Sequence, residues 1–229
     1  MAFSDPIKKR QAEDFRDTKD LALNNSWKIF KIMAEFVEGY DVLAKYKNEV
    51  TIFGSARTDP NDHFYQQALK LGQLLGQHDF TTITGGGPGI MEAANKGAFE
   101  VGGKSLGLGI QLPNEQSINP FVTQAVNFSY FFTRKVMLTA PSQAYVYFPG
   151  GFGTLDELFQ VLNETSIGFT QKVPVILVGK DFWAPLIEFL HTKCVDEVQS
   201  IKPEYLDQIH IVDTAEEAFE IIRHTEDYP

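Results

Sequence analysis

The chain has 229 residues, of which 43% are hydrophobic and 22% charged, a balance that builds a globular core and excludes disorder as a description of the whole. Its 30 acidic and 20 basic side chains leave a net charge of −10. The summed field repels polyanions and excludes a general affinity for DNA, RNA or anionic membrane. The single cysteine, Cys194, can form no intrachain disulfide and suits a reducing compartment.

The chain opens with a charged stretch and has no apolar run resembling a signal peptide. No segment approaches the roughly 18 apolar residues of a membrane span, so a cytoplasmic protein is expected. Trp27, Phe30, Met33, Phe36, Val37 and Tyr40 recur at three- and four-residue steps, which makes one apolar stripe on a helix. That stripe must pack on the main body or on another subunit, and both remain open. A boundary near residue 48 separates this N-terminal segment (1–48) from an α/β domain (49–229).

From residue 49 short apolar strands alternate with helices. Strands are expected at 50–53, 80–84, 105–110, 144–148, 174–178 and 209–212. Helices are expected around 64–75, 90–99, 131–140, 154–167, 185–198 and 215–223, and residues 111–125 read as a loop. Alternation of this kind predicts βαβ crossovers and a doubly wound, Rossmann-like parallel sheet with helices on both faces and an extra N-terminal helix. Ligands on such sheets bind at the carboxyl ends of the strands.

Two glycine-rich turns fall at such strand ends. Gly85-Gly86-Gly87-Pro88-Gly89 and Pro149-Gly150-Gly151-Phe152-Gly153-Thr154 each let a ligand approach the backbone and precede helix N–H groups free to bind an anion. A third turn, Gly54-Ser55, follows the first strand. The dinucleotide fingerprint G-x-G-x-x-G fails, because its third glycine falls on Ile90 or Asp156. The P-loop near-miss at Ala98–Ser105 links a helix to a strand and lacks its first glycine. A nicotinamide-dependent oxidoreductase is therefore set aside.

Thr154-Leu-Asp156-Glu157 reads either as a capping box, with Glu157 returning a hydrogen bond to the backbone, or as a carboxylate placed at a phosphate-and-sugar site. Asp156 is a second acidic candidate. Arg134-Lys135 reads either as a solvated helix face or as an anion clamp, since arginine binds phosphate and carboxylate bidentately. Glu92 is expected to favour the dipole of its helix, and Glu115 sits in a loop able to lean over the site. The five histidines and Cys194 show no metal-ligand spacing, Cys194 reads as a core residue of the helix at 185–198, and no G-x-S-x-G elbow is present.

Pro149-Gly-Gly-Phe-Gly-Thr-Leu-Asp-Glu157 resembles the P-G-G-x-G-T-x-x-E signature of the Lonely Guy (LOG) family, phosphoribohydrolases long mislabelled as lysine decarboxylases. Gly85–Met91, Arg134-Lys135 and Phe53-Gly-Ser-Ala-Arg57 are similar to other segments of that family, strongly over 49–180 and loosely beyond, and the N-terminal helix is like that of its larger bacterial branch. The resemblance implies hydrolysis of the N-glycosidic bond of nucleoside 5′-monophosphates, AMP or cytokinin riboside monophosphates among them, to free base and ribose 5-phosphate. By it, Glu157 and Arg134 would be catalytic. Gly54, Ser55, Gly85, Gly86, Gly87, Gly89, Glu115, Lys135, Gly150, Gly151, Gly153, Thr154 and Asp156 would bind substrate. It implies no metal or organic cofactor and a homo-oligomer, dimer or higher. Glu92 departs from a glycine common in the plant-type branch, which bears on the base pocket. A non-catalytic nucleotide sensor or carrier of the same fold, as in molybdenum-cofactor carriers, is the competing reading; such a binder needs the glycine loops but not the carboxylate.

Overall fold

A computed structural model describes residues 18–111, 118–140 and 142–227. In chain order the principal elements are α1 (Thr18–Leu43), β1 (Glu49–Phe53), α2 (His63–Gln77), β2 (Thr81–Thr84), α3 (Ile90–Glu100), β3 (Lys104–Ile110), β4 (Gln124–Phe128), α4 (Phe131–Thr139), β5 (Ala144–Tyr147), α5 (Phe152–Ser166), β6 (Val175–Val178), α6 (Lys180–Phe189), β7 (Ile209–Val212) and α7 (Ala215–Arg223). The strands form one sheet in the order β4-β3-β2-β1-β5-β6-β7, and every adjacent pair is parallel. This is the doubly wound α/β architecture expected from the alternation. The chain steps outward from β1 to β4, then crosses back to start β5 on the other side of β1, so the direction of winding reverses between β1 and β5.

Each strand side faces its own core because side chains alternate along a strand. Val50 and Ile52 of β1 join Leu71 and Leu75 of α2, Ala93 and Ala94 of α3 and Phe219 of α7. On the other side Phe53, Leu108, Phe128 and Tyr147 pack with Met137 of α4, Leu158 of α5 and Trp183 of α6. Central strands β1, β2, β5 and β6 are buried along their whole length, as a parallel sheet covered on both faces requires. Helix starts are locally encoded: Asp62 accepts from the Phe64 N–H at the head of α2, and Thr214 with Glu217 forms a capping box at α7.

Three expectations need correction. Residues 124–128 form edge strand β4 instead of continuing the loop. Its sequence, Gln-Ala-Val-Asn-Phe, is only half apolar because only Val126 and Phe128 turn inward. The helix expected at 185–198 begins earlier, at Lys180, with Pro185 inside it, and winds into a π-helical turn over Leu190–Glu197. Cys194, read as core, is only partly buried in that turn.

The aromatic stripe of α1 divides. Phe36 packs with Val42 and Leu43 onto the β4–α4 side of the sheet, whereas Trp27, Phe30, Met33, Val37 and Tyr40 remain more than half exposed. Among the described residues no helix is long and apolar enough to cross a membrane.

Candidate active site

The reversal between β1 and β5 opens a crevice at their carboxyl ends, where the loops above two adjacent strands leave in opposite directions. A cavity of about 470 Å³ occupies it, lined by Phe53–Arg57 after β1, Gly85 after β2, Met91 of α3, Ile110 of β3, Phe131 and Arg134 of α4, and Gly151–Thr154 with Glu157 of α5. A second cavity of about 490 Å³ at the opposite, amino ends of the strands is lined by Thr139, Ser142, Gln143, Tyr145 and neighbours. Among the described residues that line it there is no charged side chain.

One wall is the N-terminus of α5. Its N-cap is Gly151, in extended geometry and without a side-chain cap. The first-turn N–H groups of an α-helix have no intrahelical acceptor, and here they open onto the cavity with no Cβ in the way at Gly151 or Gly153. This arrangement corrects the capping-box reading of Thr154–Glu157. Two glycines let the helix start at Phe152, one turn before that reading required, so Thr154 already lies inside the helix. Its side chain packs back on Gly150, and Glu157 is left for the cavity.

Glu157 sits half-buried at the cavity floor. Burial lifts its carboxyl to about 7, with Asp156 adding to the rise and Arg134 and Lys135 opposing it. Arg134 is buried, and loss of water lowers its own affinity for the proton while Glu157 works against that. Its Nε donates to the Leu108 carbonyl at 2.7 Å, and its guanidinium lies 5.9 Å from the centre of the Phe131 ring. A Cβ at residue 85 would stand 2.2 Å from Arg134 Nη2. Glycine at 85 is what leaves the guanidinium its place.

The first glycine loop contributes mainly from below. Only Gly85 of residues 85–89 lines the cavity. Gly86 and Gly87 are buried, held by a polar network that the sequence reading missed. The Gly86 N–H donates to Thr84 Oγ1 at 2.9 Å, and Thr84 Oγ1 donates to Asn95 Oδ1 at 2.6 Å. Asn119 Nδ2 donates to Gly87 O and to Asn95 Oδ1. The Asn119 N–H donates to Gly86 O. Such a satisfied buried network fixes a loop that glycine alone would leave free. Gly89, at φ 68°, turns the chain into α3, and a Cβ there would meet the Ser55 carbonyl at 2.4 Å.

Of the remaining expected residues, Gly54, Ser55, Gly151, Gly153 and Thr154 line the cavity, and Gly150, Lys135 and Asp156 do not. Lys135 Nζ instead pairs with Asp156 Oδ2 at 2.7 Å, joining α4 to α5. Glu92 is in the first turn of α3 and accepts from the Tyr65 hydroxyl at 3.1 Å, away from the cavity lining. Glu115 lies outside the described residues. Arg57, Met91, Ile110, Phe131 and Phe152 line the cavity although not selected as site residues; Arg57 adds a cation beside the α5 N-terminus, and its signal was the strand-Gly-Ser turn before it. Among the described residues no group of three or more His, Cys, Asp or Glu is placed to hold a metal ion.

The model of a family described as "Possible lysine decarboxylase" matches residues 91–222. The chain belongs to that family, the LOG family. It is 28% identical over 190 residues to cytokinin riboside 5′-monophosphate phosphoribohydrolase LOG5 of Arabidopsis thaliana, covering 82% of this chain and 80% of the relative. It is 29% identical over 190 residues to the pyrimidine/purine nucleotide 5′-monophosphate nucleosidase of Escherichia coli K12, covering 76% of this chain but only 41% of that protein. The molybdenum cofactor carrier protein of Chlamydomonas reinhardtii shares the fold, with a TM-score of 0.59 at 23% identity over 79% of this chain and 98% of that one.

The carboxyl of Glu157 has a consequence for stability. In the unfolded chain it loses its proton near pH 4; in the folded protein it keeps it up to about pH 7. Between these values the native state holds the extra proton, so stability falls as pH rises through that window and stays lower above it. Glu157→Gln is therefore expected to match the wild type near pH 4 and to exceed it at pH 8 by up to roughly 2–3 kcal/mol, as read by thermal melts at the two pH values.

Proposed function

We propose that this protein is a nucleoside 5′-monophosphate phosphoribohydrolase, which cleaves the N-glycosidic bond with water to give free base and ribose 5-phosphate. The observation that carries the reading is a half-buried carboxyl, Glu157, one turn inside a glycine-capped helix N-terminus, with Arg134 lining the same cavity. The N–H groups heading α5 suit the 5′-phosphate, with Arg57 and the Ser55 hydroxyl beside them. Phosphate held there brings the ribose over Glu157.

Departure of the base builds positive charge on the sugar, an oxocarbenium-like state. The ionised Glu157 carboxylate stabilises that charge and directs a water to the anomeric carbon. The C1′–N bond breaks as the C1′–O bond forms, and the proton given up by the water balances the one acquired by the departing base. Binding energy from the remote phosphate orients the reacting centre. The family relationship and the names of the two relatives support the reaction class. A pure carrier needs the helix N-terminus but has no use for a carboxyl held half out of water, a costly arrangement for a group without a task.

The apolar face of α1 left exposed by Trp27, Phe30, Met33, Val37 and Tyr40 is a contiguous patch of the kind that marks association. We assign it to a second copy of this chain, making the protein a homo-oligomer.

Chromatography of reactions with AMP, GMP, IMP, CMP, UMP and isopentenyladenosine monophosphate, beside the unphosphorylated nucleosides, tests the activity. Free base is expected from monophosphates only, with kcat/KM rising with pH to a plateau and half-maximal near pH 7. Glu157→Gln is expected to lose at least about 100-fold. Nucleotide binding without base release from the wild type would establish the carrier reading instead. Arg57→Ala is expected to raise KM about 10-fold with little change in kcat, the mark of a phosphate contact made equally in ground and transition states. Light scattering of a Phe30→Glu/Val37→Glu double variant is expected to show a smaller particle than the wild type, and an unchanged mass would remove α1 from the interface.

A further inference from the structure

Helix α4 carries Arg134 in its first turn, and that turn is not capped by its own sequence. The N-cap, Tyr130, offers no side-chain hydrogen bond to it. The residues leading into it, and the Thr133 side chain within it, are instead bound by Glu35 of α1, 94 to 98 residues earlier in the chain. Glu35 Oε1 accepts from the Ser129 N–H at 2.7 Å, and Glu35 Oε2 accepts from the Tyr130 N–H and lies 2.5 Å from the Thr133 hydroxyl. A carboxylate at this point satisfies otherwise free donors and complements the positive end of the helix. One turn further along both helices, Gly39 of α1 sits so close to Met137 of α4 that a Cβ would meet its Sδ at 2.6 Å. The two helices are thus held together at Glu35 and again at Gly39.

We propose that Glu35 is a positioning residue for the active site: by holding Ser129, Tyr130 and the Thr133 hydroxyl at the head of α4 it sets where Arg134 stands against Gly85 and opposite Glu157. Thr133, bound by Glu35, is the immediate neighbour of Arg134, so rotation or fraying of this turn moves the root of the arginine. The guanidinium end is fixed by the Leu108 carbonyl, and the two anchors together define its path. Lys135, the next residue, ties the same turn to Asp156 of α5. Release of the Glu35 anchor frees the start of the turn and leaves Arg134 held by the Leu108 carbonyl and by the Lys135–Asp156 pair that follows it. The catalytic part of this assignment rests on the phosphoribohydrolase reading; the positioning part does not.

Glu157 reports the position of Arg134 directly. The charged groups facing it are Arg134 and Lys135 from α4 and Asp156 from α5, with the Tyr147 hydroxyl of β5 also within electrostatic range, and Arg57 lines the same cavity. Arg134 is the largest of the influences that favour the ionised carboxylate. Its withdrawal therefore moves the titration of Glu157 upward.

The experiment compares wild type, Glu35→Ala, Glu35→Gln and the control Glu38→Ala, an exposed site on the same helix. Carbon-13 NMR of glutamate-labelled protein, with the Glu157 signal assigned from Glu157→Gln, follows that carboxyl through pH 4–9 without substrate. The kcat and KM for the best monophosphate are measured in parallel. Glu35→Ala is expected to raise the Glu157 midpoint and to lower kcat at pH 7 at least about 10-fold with a smaller change in KM, as displacement of a reacting group does. Glu38→Ala is expected to change neither. Glu35→Gln keeps the shape but offers one acceptor where the carboxylate offers two. It is expected to move both readouts in the same direction by less, and it decides the matter if Glu35→Ala does not fold. An unmoved Glu157 midpoint in the Glu35 variants overturns the proposal, whether or not activity falls. A raised midpoint in preparations where even the wild type releases no base keeps the positioning role and removes the phosphoribohydrolase reading.

Discussion

Holding Glu157 half out of water beside a buried arginine is the constraint around which this molecule is arranged. A carboxyl in that setting prefers its proton, and only a cation placed in the same low-dielectric space brings it back toward ionisation. The two groups come from different helices, α5 and α4, which approach the same strand ends from different crossovers. Their relation therefore depends on the whole sheet order, and above all on the reversal beside β1 that makes room for a cavity at all. A carboxyl poised near neutrality can serve as an anion in one step and hold a proton in another, which is how perturbed acids are used.

The supports of the site are polar, and they lie behind the residues that line the cavity. Asn95 and Asn119 hold the first glycine loop in shape, Lys135 and Asp156 join α4 to α5, and Glu35 reaches from the N-terminal helix to the head of α4. The two asparagines replace water at backbone and side-chain groups that the fold would otherwise strand. The glycines then perform two different tasks. Those at 151 and 153 leave the cavity open at the head of α5, whereas Gly85 leaves space for the protein's own arginine.

Much of this was legible in the sequence, and the exceptions have physical reasons. The order of strands and helices followed from apolar runs and turn residues, because central parallel strands must be apolar on both faces. β4 escaped notice because an edge strand with one face turned outward need not look like a strand. The pattern Thr-x-x-Glu occurs twice with opposite outcomes. At Thr214–Glu217 it is a capping box; at Thr154–Glu157 two preceding glycines start the helix earlier and release the glutamate to the cavity. No local pattern separates the two; the difference lies in what precedes the threonine. Asn95, Asn119 and Glu35 were invisible for another reason. Their partners lie on other elements, 11 residues away for Asn95 with Thr84, 24 for Asn119 with Asn95 and up to 98 for Glu35, and no helix or strand periodicity links them.

The near-contact between Gly85 and Arg134 sets apart what the fold tolerates from what the chemistry tolerates. The atom that a methyl group at 85 would strike first is the far end of a long side chain, able to swing aside without moving the backbone. An alanine there would leave the sheet and the helix N-terminus as they are, and would displace the guanidinium and, beside it, the Met91 sulfur. On the phosphoribohydrolase reading proposed above, one methyl group thus stands between two kinds of molecule built on one scaffold: a vessel that holds its guest, and one that also breaks it.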